Sequence, residues 1–297
     1  MSPWGGCQLI ILAGNVRLFL VLVVIAITSK NRRFDFYSWP KAYELASQKG
    51  STLVWPFGAT EQHGPHLPLI TDTFFAENIL RKVLERLPKD MPIWTLPPQS
   101  IGFSPEHLGF PGTLSISARL MIELVSEIGK QLAEMGVNRL VLFNAHGGQI
   151  GLLQAVARQL RVECPSMAVL PCFLWSGVDS LKDLIPNKEV EEGLHAALAE
   201  TSLMISLDPD LVGNERPFSG NEQSSVKNDS LAPHGWSLEG AAPCAWLTKD
   251  LSDSGVIGDS RGSNKELGDS LKNALVDHWE KLFISLIESE WPYFDDK

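Results

Sequence analysis

The chain has 297 residues, 44% hydrophobic and 20% charged, with a formal net charge of −10. That composition is globular, and the length suits one large α/β domain or two small ones. The acidic balance excludes nucleic acid as a partner, because neutralising phosphates takes a basic surface.

Residues 1–35 differ in character from the rest. Leu18–Thr28 reads LFLVLVVIAIT without a charge, and KNRR follows at 30–33. Eleven residues fall short of the roughly 20 that cross a bilayer. Extending the run back to Leu9 brings Arg17 inside it. The basic flank would put the C-terminal side in the cytoplasm, and no clean A-x-A site marks a signal peptide. Three readings stay open: an extension outside the domain, a membrane anchor through residues 9–28, or a core strand. The domain proper is assigned to residues 36–297.

From there short apolar runs alternate with amphipathic segments. TLVWPFG (Thr52–Gly58) predicts a buried strand. Asp72 is placed to cap a helix running to about Leu87, with Phe75, Ile79, Leu80, Val83 and Leu87 on one stripe. Met91–Pro98 reads as a second strand. Ser117 opens a helix whose apolar face includes Leu120, Val125, Ile128 and Leu132, and Gly136 is placed to stop it. Arg139–Asn144 (RLVLFN) is a third strand, followed by a helix containing AVARQLRVE, and Met167–Trp175 is a fourth. This alternation predicts a mostly parallel sheet covered on both faces. Ser219–Ala242 is polar and reads as a long loop or lid. A last helix spans Asn264–Glu290, with a break expected near Gly268. Four cysteines, Cys7, Cys164, Cys172 and Cys244, lie far apart with no CxxC pair. Reduced thiols in a cytoplasmic protein follow from that spacing.

The chemistry concentrates in four stretches. EQHGPHLPLITD (Glu61–Asp72) follows directly on the first strand. Open α/β sheets bind ligands beyond the carboxyl ends of their strands. In an extended segment Glu61 and His63 point the same way, and Asp72 returns at the next helix. Imidazoles with carboxylates suit zinc, iron(II) or manganese(II). NAHGGQ (Asn144–Gln149) puts His146 on the same rim, with Gly147 and Gly148 allowing close approach of a ligand. HAALAETS (His195–Ser202) offers His195 as a general acid or base and Glu200 as a further ligand, five residues on along an expected helix. SPEHLGFPGT (Ser104–Thr113) is either a substrate-facing loop carrying Glu106 and His107 or an ordinary turn with a helix cap.

Together with SGVIGDS (Ser254–Ser260), these stretches resemble the creatininase (creatinine amidohydrolase) family in order and in gaps, over most of residues 36–270. The resemblance implies a three-layer α/β/α fold and a homo-oligomer, often a hexamer. It implies two divalent metal ions (zinc, iron or manganese), with Glu61 and His146 on one, His63 on the other and Asp72 bridging. It makes His195 the acid/base acting on the substrate and Ser104 a substrate contact. Gly147, Glu106 and His107 are assigned to the same substrate-binding wall. Two departures stand out. Creatininase proper carries tyrosine and glutamate where this chain has Gly147 and Gly148, so a carboxylate for the second metal is missing, and Glu200 is the substitute we assign. The family's HAGE start has become HAAL, with Leu198 where an acid is usual. The Gly-Gly form is similar to the branch containing formamide hydrolases. The activity expected is hydrolysis of a non-peptide C–N bond in a small cyclic or linear amide. The alternatives are an inactive metal-binding subunit and a peptide-trimming metallopeptidase.

Overall fold

The structure is a computed structural model that describes residues 32–219, 237–238, 242–289 and 291–292, without the side chains of 191 and 192. The hydrophobic run at 9–28 and most of the expected 219–242 loop lie outside the described residues. Among the described residues, no helix is long and apolar enough to cross a membrane.

Four parallel strands form the sheet: β1 (Thr52–Phe57), β2 (Ile93–Thr95), β3 (Arg139–Asn144) and β4 (Ala168–Phe173), in the order β2-β1-β3-β4. Side chains alternate across it. Leu53, Trp55, Phe57, Leu140 and Leu142 face one hydrophobic layer, and Val54, Val141 and Phe143 face the other. Both faces are buried, so the strands read as continuous apolar runs. Helices α1 (Trp39–Ala46), α3 (Ala118–Glu134) and α4 (Ile150–Glu163) cover the first face. The second is covered by α2 (Thr71–Arg86), α7 (Leu198–Leu207) and the long α9 (Lys265–Glu288). Short α5 (Leu181–Leu184), α6 (Asn187–Glu192) and α8 (Thr248–Leu251) lie in the connections. The three-layer α/β/α architecture is the one expected.

Several boundaries differ from expectation. Arg32 and Phe34 are buried. Arg32 donates to the carbonyls of Leu87, Pro88, Met91 and Ile93, so the packed body reaches back at least to Arg32. The second strand is only Ile93–Thr95, because Pro97 and Pro98 cannot extend a ladder. Asp72 is not a cap. Ile70 occupies that place and Asp72 sits inside the first turn of α2, which frees its carboxylate for the site. His195 precedes α7 and pairs with Ile257 in an isolated bridge, so the expected helical spacing to Glu200 does not apply.

α9 runs unbroken through Gly268. That glycine is where α9 crosses α7: a β-carbon there would lie 1.9 Å from the Ser202 carbonyl oxygen. Alanine is the better helix former by about 1 kcal/mol, but the backbone of α7 cannot yield that space cheaply. Gly268→Ala should therefore destabilise the fold by about 1–3 kcal/mol. Urea unfolding with an unchanged m-value would show it, and equal or higher stability would mean that the helices do not cross this closely.

Candidate metal centre

β1 connects through α2 to β2 on one side, and the chain then passes to β3 on β1's other side. The strand order therefore reverses between β1 and β3, and doubly wound sheets bind ligands at such a point. Phe57 and Asn144 are register partners at the carboxyl ends of these strands. The loops that follow bring Glu61 and His63 beside His146. Asn144 fixes the second loop by accepting from the His146 and Gln149 N–H groups and donating to the His146 carbonyl. His66 ties the first loop down: its Nε2 lies 2.8 Å from the Thr201 hydroxyl on α7, and its carbonyl accepts from Gly213. His195 enters from a strained turn, with Ala196 at φ 53°. The Ala196 N–H donates to Glu200 Oε2 at 2.6 Å, which aims that carboxylate.

Glu61, His63, Asp72 and His146 are each at most 3% exposed. Asp72 lies 3.3 Å from His63 Nε2 through one oxygen and 3.4 Å from His146 Nδ1 through the other. Glu61 Oε1 is 3.3 Å from His146 Nδ1. Among the described residues, four groups of three donors lie close enough together to hold an ion: Glu61–Asp72–His146 and His63–Asp72–Glu200, which share Asp72, and Glu61–His63–His195 and Glu61–Glu106–His107, which draw on the rim histidines. The outward nitrogens are committed to carbonyls. His146 Nε2–H donates to Phe103 at 3.0 Å and His63 Nδ1–H to Glu61 at 3.2 Å. Each ring therefore turns its other nitrogen inward, the arrangement by which proteins orient metal-ligating histidines. Glu61 Oε2, His63 Nε2 and Asp72 Oδ2 are buried with no hydrogen-bond partner. Buried polar atoms are rarely left so, and cations held by the Asp72-sharing donor sets would satisfy all three. The residues present fit a metal.

Without a cation, protons take its place. Burial opposes charging His63, but Asp72 with Glu200 and Glu61 outweighs it and holds the imidazole up at about 9. His146 is likewise raised well above its ordinary value by Glu61 and Asp72 against burial. Burial alone would raise Asp72, yet the two histidines hold it well below the carboxylate range. Glu200 is pushed up to about 7 by burial and by Asp72, against the pull of His63. On the rim, burial lowers His107 to about 4 and takes His195 well below the ordinary histidine value.

The structure gathers nearly all of the predicted residues. Glu61, Asp72, Glu106, His107, His146, Gly147, His195 and Glu200 line one cavity of about 420 Å³, with His63 buried beneath it. Ser104 does not: it is fully buried, its hydroxyl lacks a partner, and the cavity wall passes it by. Gly148 explains itself. A β-carbon there would lie 1.9 Å from Glu106 Oε1, so the Glu106 carboxylate occupies the space a side chain at 148 would need. Sequence reasoning missed Trp175 and Trp246, which wall the cavity, because neither belongs to a pattern. It also passed over Gln62, which stands between the two most conspicuous residues of the first motif.

A model of the creatininase family, described as creatinine amidohydrolase, matches residues 35–283. The chain belongs to the creatininase family. A relative from Mycobacterium tuberculosis (strain H37Rv), named mycofactocin precursor peptide peptidase, is 34% identical over 80% of this chain and 89% of its own. The protein of that name from Mycolicibacterium smegmatis is 36% identical over 60% of this chain, an alignment spanning only 66% of the relative's length. Creatinine amidohydrolase of Pseudomonas putida is 29% identical over 59% of this chain and 72% of its own. A crystal structure of creatinine amidohydrolase superposes with TM-score 0.67 at 22% identity, covering 90% of this chain and 100% of that one, and shares the fold. A manganese form of creatininase is among the solved neighbours.

The proton positions predict how the site takes up a cation. His63 and Glu200 have folded-state values above their ordinary 6.5 and 4.5. In the metal-free protein the stability they lend is fully present below those ordinary values. It is lost as pH rises through about 7 for Glu200 and about 9 for His63. Metal must displace these protons, so apparent affinity for zinc or manganese should climb between pH 6.5 and 9. Calorimetric titrations in buffers of different ionisation enthalpy should show proton release, and buffer-independent heats would contradict this.

Proposed function

We propose that this hydrolase cleaves an amide C–N bond using two divalent metal ions at the strand-order reversal, and that the amide belongs to a peptide-like chain. The pair of donor sets sharing Asp72 supports the two-metal reading. Glu61, Asp72 and His146 would hold one ion, and His63, Asp72 and Glu200 the other. Zinc, iron(II) and manganese(II) all accept such ligands. Bound there, the ions supply Lewis acidity toward a water and the scissile carbonyl.

The chain's own residues move the protons. His195 Nε2–H is committed to the Gln62 carbonyl at 2.7 Å, so Nδ1 presents a lone pair, 3.8 Å from Glu61 Oε1. His195 takes the proton lost by the attacking water as that oxygen bonds to the carbonyl carbon. It returns the proton to the nitrogen as the C–N bond breaks. One water is consumed: one of its protons reaches the nitrogen through His195, the other stays on the new carboxylic acid and passes to the amine, so a carboxylate and an ammonium result. The His63 and His107 rings, with centroids 4.3 and 4.1 Å from that of His195, hold the imidazole in plane.

The substrate reading rests on Gly147. A β-carbon there would meet nothing within 4 Å, so the floor beside His146 is open where the resemblance puts a tyrosine in creatininase. That space suits an acyl group larger than creatinine. The higher identity to the peptidase relatives supports the same direction. A small lactam or formamide is the second reading, because a cavity of about 420 Å³ would enclose one whole. Metal-loaded protein incubated with a mixed-sequence peptide library, creatinine and aryl formamides, with products read by mass spectrometry, separates the two. Peptide cleavage is expected, and turnover of creatinine or formamide alone would overturn the peptide assignment. Asp72→Ala should lose bound metal together with essentially all turnover. His195→Gln should keep its metal and lose about 10²–10⁴-fold in kcat. Unchanged kcat in that variant would remove His195 from the proton path.

A further inference from the structure

The late motif SGVIGDS and Gln62 have so far entered only through backbone contacts with His195. The two meet. Gly255 has φ +85°, and a β-carbon on it would lie 1.9 Å from Gln62 Oε1, so glycine here makes room for the Gln62 amide. That amide is pinned in one orientation by the backbone on both sides. Its oxygen accepts from the Gly64 N–H at 2.9 Å, and its nitrogen donates to the Gly255 carbonyl at 3.0 Å. Flipping it would set oxygen against oxygen and N–H against N–H. The second hydrogen of the amide nitrogen therefore points at His107 Nδ1, 2.9 Å away.

An imidazole nitrogen that accepts cannot carry the proton, so in neutral His107 the hydrogen sits on Nε2. The Thr248 hydroxyl lies 2.7 Å from the same Nδ1 and 3.0 Å from the Glu106 carbonyl, so its one hydrogen has two acceptors within reach, whereas the Gln62 amide nitrogen can only donate. The surroundings of Nε2 agree. It faces Glu61 Oε1 at 3.5 Å and Glu106 Oε1 at 4.0 Å. Two carboxylates attract an N–H and repel a lone pair. His107 lines the cavity beside the donor sets and stacks on His195, the rings 29° from parallel.

We propose that Gln62 and Gly255 lock His107 as the Nε2–H tautomer, and that this N–H donates to the substrate oxygen on which negative charge collects during attack on the amide. His107 is then a donor in the reaction and not a metal ligand, and Gln62 and Gly255 are positioning residues. The inference deepens the amide-hydrolase reading and rests on it for the identity of the oxygen. The tautomer itself stands apart from that reading.

Nitrogen-15 spectroscopy of histidine-labelled protein, loaded with zinc, reads the tautomer without any turnover. We expect His107, assigned by its loss in His107→Gln, to show a pyrrole-type Nε2 and a pyridine-type Nδ1. The reverse pattern would overturn the lock. Gln62→Met should leave metal content unchanged and blur that pattern into a mixture. Kinetics on the peptide cleaved best in the library then test the role. His107→Leu should lower kcat by about 10²–10³-fold, as loss of one oxyanion donor does, with KM and metal content nearly unchanged. His107→Gln, whose amide N–H reaches the same place, should recover part of it. Loss of a metal equivalent in His107→Leu would make the residue a ligand and defeat the proposal, as would an unaltered kcat. If wild-type protein cleaves no amide although its Nε2–H is seen, the hydrolase reading fails and the tautomer assignment stands.

Discussion

Four carboxylates, Glu61, Asp72, Glu106 and Glu200, converge at one end of a buried sheet, and their mutual repulsion in low dielectric is the constraint from which the rest follows. Such a cluster cannot be left uncompensated, because burying an unpaired charge costs several kcal/mol. The inner pair is met by His63 and His146, whose nitrogens turn inward because backbone carbonyls hold the opposite ones. The outer rim is met differently. His107 and His195 are kept neutral by burial, and each offers a single committed face. The site is thus built in two tiers, one that gathers positive charge and one that handles protons and polarity.

The fold supplies this arrangement cheaply. A parallel sheet whose order reverses between β1 and β3 leaves two adjacent strand ends facing the same crevice, and one loop from each carries the histidines. The remaining members come from far along the chain, yet hydrogen bonds tie their segment to the first loop. His195 donates to Gln62, Glu200 reaches Ala196 beside it, and His66 bonds to Thr201 on the helix bearing Glu200. Strain at Ala196 is the cost of bringing His195 in ahead of its helix. The loop that looked like a spacer between ligands is therefore the scaffold on which the other three segments are registered.

Much of this was legible in the sequence. The four strands read directly from apolar runs bounded by Gly and Pro, and β3 matches to the residue. The candidate donors were conspicuous because His, Asp and Glu stand out against apolar neighbours at strand ends, and the structure brings them together. What was hidden has physical causes. Gly268 reads as a helix breaker, but the glycine answers a helix crossing that no local pattern announces. His195 and Glu200 look like helical neighbours, while a bridge to Ile257, sixty residues on, lifts His195 out of the helix. Ser104 sits in a conspicuous motif and yet is buried outside the cavity lining. Gln62 was overlooked because an uncharged amide carries no obvious chemistry, and its meaning depends on Gly255, which is distant in sequence.

The overlap between Glu106 and position 148 makes these two sites a single decision. No side chain can be added at 148 while the carboxylate of residue 106 lies across it, and shortening residue 106 alone leaves a hole against His146. A side chain at 148 has to push the Glu106 carboxylate aside and crowd His146 Nε2, 2.7 Å from the added β-carbon, so this centre and one bearing its acid at 148 differ in where residue 106 lies as well. Bringing an acid to 148 therefore means giving the Glu106 carboxylate another place, and that carboxylate is part of the cavity wall.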